Sequence, residues 1–371
     1  MIFAINSQIL PLTSFPLHAE TVIMRLLFAL FWACRLATPA IGTVTPTTIF
    51  TLPGPAQPSS WFENLAVRPN GKILATRGDA PEIWQINPAT GTGALFVSLA
   101  PSTGAFNLTG IAQVRIPVGA GEGEEDEEEE NEDGGNVETY VFGSSYIPAP
   151  LQVAPGSAKV WKLEIDGNGT PTVSLLAALP SAGFINGITK WGRKGRVLLS
   201  DTERAAVYLM DATTGSFTTP LTNLTGINGI RTVGPKSGSG YLYRVDFFSL
   251  TLSRIPISAA TATALGPAEV VADNQLIDDF ALAVNRHTGA GAAYLATMYD
   301  NSVVRVVFGP PPSAGPGVKT LVAGDLTGTG VGLCTVVVFG RRHQDRNVLY
   351  AAVGQGGVSS AKIVALDLSQ L

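Results

Sequence analysis

Beyond the N-terminal region, apolar and polar positions alternate in short runs separated by Gly-, Pro-, Asn- and Asp-rich turns. A period of two predicts half-buried strands, and no such stretch carries a helical period. The runs recur in a fixed order. Each unit opens on a strand with a polar or small residue near its start: FENLAVR at Glu63, LTGIAQV at Thr109, INGITKW at Asn186, INGIRTV at Asn228, DDFALAV at Asp279 and LCTVVVF at Cys334. Second strands are expected at 73–76, 139–143, 197–200, 241–245, 293–298 and 348–353. Third strands are expected at 82–86, 159–165, 206–210, 252–257, 302–307 and 362–366. Turns such as NPATG, DGNG and DATTG lead into fourth strands.

Six units of four strands predict an all-β, six-bladed β-propeller. Residues 61–371 without the segment 119–137 number 292, about 49 per unit, which suits a propeller blade. The sixth unit lacks a fourth strand of its own. Residues 47–52 (TTIFTL) are expected to supply it and close the ring.

Residues 1–40 read as a secretory signal region rather than part of the fold. An apolar run at 26–34 (LLFALFWAC) follows Arg25, is too short to span a bilayer, and precedes a small-residue stretch with a cut expected after Ala40. Met24 starts this segment and is read as the true start. The remaining 41–371 form one propeller domain. Cleavage would remove Cys34 and leave Cys334 alone, so no intrachain disulfide is expected. Sequons at Asn107, Asn168 and Asn223 fit a secretory or vesicular location and mark glycosylation candidates.

Charge is unevenly spread. Ten acids and no base lie between Glu122 and Asp133, so the rest of the chain holds 24 basic against 19 acidic residues. The acidic run joins the first and second strands of blade 2, opposite the channel mouth, and is expected to be a solvated surface segment. No basic cluster stands out along the sequence, which argues against a nucleic-acid partner. After signal cleavage no membrane partner is expected, and a monomer or dimer is expected.

The strand openings place Glu63, Thr109, Asn186, Asn228, Asp279 and Cys334 around one axis. Carboxylates and amides are hard oxygen donors of the kind Ca²⁺ or another divalent ion takes, and facing carboxylates would also have raised pKa values useful in acid catalysis. Glu63, Asn186, Asn228 and Asp279 are therefore the candidate catalytic or ligand-binding residues. Of the three histidines, His18 precedes the mature chain, and His287 and His343 fall in turns on the far face, so a histidine-based dyad or triad is not expected. Mouth-side turns bring Trp61, Phe62, Tyr146, Phe184, Phe247, Phe248, Met298 and Tyr299 toward the funnel. Phe62, Tyr146, Phe184, Phe248 and Tyr299 are the expected walls of a pocket for a small apolar substrate.

FENLAVRPNG, the two ING openings and DDFALAV resemble the regucalcin/gluconolactonase-type six-bladed propellers. That resemblance implies metal ligation by Glu63, Asn228 and Asp279 and a substrate contact from Asn186. LTGIA at 108–112, the 339–350 segment and Gly356–Gly357 are closer to secreted fungal members, some of which are hetero-Diels–Alderases of tropolone–sesquiterpenoid biosynthesis. The implied activity is an intermolecular [4+2] cycloaddition of a tropolone quinone methide with a terpene alkene, for which no cofactor is required. The alternatives are a divalent-metal-dependent lactonase and a non-catalytic ligand-binding propeller. Phe280 is read as replacing the glycine that follows the family's aspartate.

Overall fold

The structure is a computed structural model, and it describes residues 43–53, 60–116, 137–146, 153–192, 195–236, 238–313, 315–324, 330–354 and 360–371. The signal region with its cut site, nearly all of the acidic segment, and Gly356–Gly357 lie outside the described residues. All described residues fall in the compact unit Ala40–Leu371.

Among the described residues twenty-four strands form six four-stranded antiparallel sheets, and the expected six-bladed propeller is the observed fold. Blade 1 is β2–β5 (Phe62–Val67, Ile73–Arg77, Glu82–Asn87, Thr92–Ser98), and blade 2 is β6–β9 (Asn107–Val114, Glu138–Ser145, Lys159–Ile165, Pro171–Ala178). Blade 3 is β10–β13 (Ile185–Trp191, Arg196–Asp201, Ala206–Asp211, Phe217–Leu221). Blade 4 is β14–β17 (Ile227–Lys236, Ser239–Asp246, Thr251–Ser258, Glu269–Ala272), and blade 5 is β18–β21 (Phe280–Val284, Gly291–Ala296, Ser302–Phe308, Val318–Gly324). Blade 6 takes β22–β24 (Val336–Phe339, Val348–Val353, Lys362–Asp367) and completes itself with β1 (Thr47–Thr51), which pairs antiparallel with β24. The N-terminal strand thus ties the two ends of the chain into one sheet and closes the ring. Among the described residues no helix is long and apolar enough to cross a membrane.

A four-stranded blade has two apolar faces and no core of its own, so burial must occur between blades. Six apolar clusters do this, one at each blade-to-blade junction. Leu74 and Ile83 of blade 1 pack with Leu108, Tyr140 and Phe142 of blade 2, and Phe50, Phe62, Ile86 and Ile363 fill the junction of blades 6 and 1. Phe62 is 1 % exposed and stacks at 6.3 Å on Phe50. Its side chain belongs to this junction, which corrects its assignment as a pocket wall.

Candidate functional site

The innermost strands share one irregularity near the mouth. Register shifts fall between Phe62 and Asn64, Leu108 and Ile111, Ile185 and Ile188, and Ile227 and Ile230, so two residues oppose one at the same point of four blades. Blade 5 repeats it just before β18, where Asp278 N donates to Ala296 O and Ala296 N donates to Asp279 O. Such bulges re-aim a side chain that a regular pleat would send between the sheets. Hydroxyls stitch them to the next blade: Thr76 Oγ1 donates to Thr109 O at 2.8 Å, and Ser200 Oγ to Asn228 O at 2.7 Å.

The bulges define the ring as Glu63, Thr109, Asn186, Asn228, Asp278 and Cys334, with a second tier of Asn64, Gly110, Gly187, Gly229, Asp279 and Thr335. This register differs by one residue in blade 5 from that expected. Ile277–Asp278–Asp279–Phe280 aligns with Ile227–Asn228–Gly229–Ile230, so Asp279 stands at the glycine place and Phe280 is the ordinary core residue. The second tier explains its own glycines. A Cβ on Gly229 would come within 2.4 Å of Asp279 Oδ1, and one on Gly110 within 2.4 Å of Asn186 O.

The two aspartates consequently do different things. Asp279 is buried beneath the ring. Its Oδ2 accepts from Asn64 Nδ2 at 2.9 Å and from Arg231 Nη2 at 2.8 Å, and its Oδ1 accepts from Phe280 N at 2.8 Å. Asn64 comes from blade 1 and Arg231 from blade 4, so this cross-brace runs beneath the ring and Asp279 is committed to it. Asp278 instead accepts from Asn228 Nδ2 at 2.7 Å. Glu63 accepts from Trp61 Nε1 at 2.6 Å. Asn228 is thus bonded to Asp278, whose carboxyl also feels the charge of Glu63, while Asp279 is held by Asn64 and Arg231.

Electrostatics follow from this arrangement. Burial lifts the Asp278 carboxyl well above the ordinary carboxylate range, and the charges of Glu63 and Asp279 push it further than the Asn228 bond can offset. Burial also raises Glu63 against the opposing Trp61 bond, and the Asp279 charge adds to the rise. Asp279 is raised by burial, with Arg231 the chief opposing influence. Among the described residues no basic side chain opposes the rise of Glu63 or Asp278. Asp278 is close enough to Tyr299 and Cys334 to add to the rise that burial imposes on the phenol and the thiol. A thiol so far from ionising is a poor nucleophile. The ring also holds two buried polar atoms without hydrogen-bond partners, Asn228 Oδ1 and Thr109 Oγ1. Groups like these call for an incoming donor, ion or water.

Above the ring, Phe248 is 72 % exposed and packs edge-on to Phe247 at 6.3 Å. Tyr299 and Tyr146 are 45 % and 44 % exposed, and Tyr146 packs edge-on to Phe106. Phe184, Met298 and Trp61 are half-buried, and Asn186 is half-buried in the ring. The two described histidines are exposed in first-to-second strand turns, away from the mouth. Of the sequons, Asn168 and Asn223 are exposed in turns. Asn107 is 2 % exposed with its Oδ1 accepting from Ser145 N at 2.9 Å, so the folded blade has no room for a glycan there, correcting that assignment.

No protein-family model matches the chain, and no curated protein matches it in sequence. Solved structures do match it in shape. A calcium-binding regucalcin from Agrobacterium tumefaciens shares 15 % identity over 89 % of this chain and 95 % of its own, with a TM-score of 0.54. The fold is that of regucalcin. A luciferin-regenerating enzyme superposes with a TM-score of 0.55 at 10 % identity, over 88 % of this chain and 96 % of its own. The PQQ-bound aldose sugar dehydrogenase of Streptomyces coelicolor does so with 0.52 at 14 %, over 89 % and 99 %. At these identities the likeness is one of fold.

Among the described residues no three His, Cys, Asp or Glu side chains converge on one point. The donor set here is two carboxylates and an amide oxygen. Among the described residues Glu63 and Asp278 have no basic partner and Asn228 Oδ1 has no donor, so the chemistry of the set fits a hard divalent cation.

Proposed function

We propose that the chain is a small-molecule enzyme whose site is the mouth-side ring, with Asp278 as proton donor, Glu63 as proton acceptor and Asn228 and Asn186 as hydrogen-bond donors to a substrate oxygen. The observation that supports this is the pair of half-buried Glu63 and buried Asp278, whose raised carboxyls are opposed by no cation among the described residues. Burial and mutual repulsion raise both carboxyls, and two carboxylates that disfavour each other's ionisation favour sharing one proton, which would supply an acid and a base in one site.

The reaction that best matches the sequence resemblance is a hetero-[4+2] cycloaddition. Asp278 would protonate the leaving hydroxyl of a precursor alcohol while Glu63 takes the proton of the conjugated enol, so that water departs and a quinone methide forms. That heterodiene and a terpene alkene then form one C–O and one C–C bond with no further proton transfer. This step needs chiefly orientation, which exposed Phe248, Tyr299 and Tyr146 would supply from apolar walls.

The unpartnered Asn228 Oδ1 favours a second reading, a metal-dependent lactonase. Glu63, Asp278 and Asn228 would hold the ion, which when bound supplies Lewis-acid polarisation of a substrate oxygen. The deciding experiment incubates purified protein with a tropolone-type hydroxymethyl precursor and a humulene-like alkene, and separately with aldonolactones, with and without chelator. Chelator-insensitive adduct formation that Asp278→Asn abolishes supports the cycloaddition. Chelator-sensitive lactone opening selects the hydrolase, and binding without turnover of either substrate makes the chain a ligand-binding propeller.

A further inference from the structure

The face opposite the mouth gathers cations that are scattered in sequence. It is built from the first-to-second strand turns. Blade 1 brings Arg68 and Lys72, blade 2 brings Arg115, and blade 6 brings Arg341, Arg342 and Arg346. Their contacts join the three turns into one patch. Arg341 Nη1 donates to Val67 O of blade 1 at 3.1 Å and also to the Gln113 side chain of blade 2. Arg342 lies so tightly against Gly71 of blade 1 that a Cβ there would sit 2.5 Å from Nε. Arg68 makes a two-point bridge to Glu138 of blade 2, at 2.7 and 3.0 Å.

Among the described residues of these three turns, the acids are Glu138 and Asp345, and both are already engaged. Glu138 accepts from Arg68 and from the Tyr140 hydroxyl at 2.7 Å. Asp345 is buried and accepts from Arg342 N at 2.7 Å and the Tyr350 hydroxyl at 3.0 Å. Arg342 Nε is buried without a partner, and Arg115 and Arg346 are exposed. The patch therefore has more positive charge than its own acids neutralise.

We propose that this patch is a docking surface for an acidic polypeptide and that its occupant is the chain's own run 122–133. Ten acids without a base match the surplus of cations, and the run is joined to the patch at both ends: Arg115 precedes it and Glu138 follows it. Such tethering gives the run a high effective concentration at the patch, which offsets the small worth of each exposed ion pair. Sequence reading alone treats the run as solvated because the cations that face it come from three separate turns.

The test uses the full chain and a Glu-specific endoprotease, with a synthetic peptide of residues 117–136 as reference in each buffer. At low ionic strength the run in the chain is expected to be cut about tenfold more slowly than the peptide, and at 0.5 M salt, roughly, the difference should vanish. The charge-removing double variant Arg115→Gln/Arg346→Gln should be cut at the peptide's rate even at low salt. If the wild-type chain and this variant are cut equally fast, the docking is overturned. Protection that disappears on dilution would place the run on a second copy and overturn the assignment of its occupant. Mouth-side turnover of the double variant should be unchanged.

Discussion

Asn228 donates its amide N–H to Asp278 at 2.7 Å, and in doing so turns its own Oδ1 into a buried acceptor with no partner. One bond thus fixes the aspartate, exposes an unmet need for a donor or ion, and leaves the ring's charge uncompensated. Sites held in this way give up stability for function.

Asp278→Asn should accordingly separate the two. It keeps the shape but replaces the proposed proton donor by an amide, which neither gives up a proton nor takes on a charge when buried. Turnover is expected to fall by about 10²–10⁴, while the melting temperature rises at neutral pH. Parallel kinetic and calorimetric measurements check this; a lower melting temperature with full activity would assign Asp278 to structure alone.

Stability should also respond to pH in a defined direction. Folded-state pKa values above the unfolded ones mean that the folded chain holds protons the unfolded chain has lost. Between the unfolded carboxylate pKa and the raised folded values, stability from Glu63 and Asp278 therefore grows as pH falls, and it is lost as pH rises through the folded values. Glu138 opposes this at the acid end: burial works to raise it, but Arg68 and Tyr140 prevail and hold it low, so its contribution disappears as pH falls through its depressed pKa. Thermal melts from pH 8 downward should show a rise, then a fall at lower pH. Asp278→Asn should flatten the rise and leave the fall.

The strand pattern made most of the fold legible, because blades differ little and each repeats the same period. Even the closure by 47–52 followed from counting strands. The ring was legible to within one residue. Asn186 and Asn228 stood out because the ING repeats mark them, and Glu63 because it opens the FENLAVR strand of blade 1, but the doublet Asp278–Asp279 is ambiguous until the bulge sets the register. The signal available was the apolar pair flanking each bulge: Ile277 and Phe280 match Ile227 and Ile230 only if Asp278 is the ring residue. Arg231 and Asn64 carried no such pattern, since their shared partner Asp279 comes from another blade. Phe62 was misplaced for a related reason: its neighbour Glu63 sits on the bulge and turns toward the channel, whereas Phe62 keeps the ordinary pleat.

The Asp279–Arg231 pair offers a third measurement. Both side chains are largely buried, so removing one partner strands a charge. Arg231→Met should destabilise the fold by about 3–5 kcal/mol in denaturant unfolding. The double variant Arg231→Met/Asp279→Gly, which restores the glycine used by its neighbours, should recover much of that loss. Equal destabilisation in both would show that the brace acts through packing rather than charge.

The last prediction separates the mouth from the far face. Residues 119–137 connect β6 to β7 at the end opposite Phe248 and the ring, and shortening a long connection costs little in closure entropy. Replacing them by a Gly-rich turn should leave turnover unchanged and shift the melt only by what the lost ion pairs contribute. Phe248→Ala removes a side chain that is 72 % exposed and supports no blade. It should raise KM with a smaller effect on kcat and no change in the melt. Asn228→Ala removes the bond that orients Asp278, so kcat should fall with KM less affected, and 0.5 to 1.5 kcal/mol, roughly, of hydrogen-bond stabilisation is at stake in the fold. All three variants require one substrate assay and one thermal melt. Lost turnover in a folded loop-replacement variant, together with full activity in Asn228→Ala, would move the site to the opposite face of the propeller.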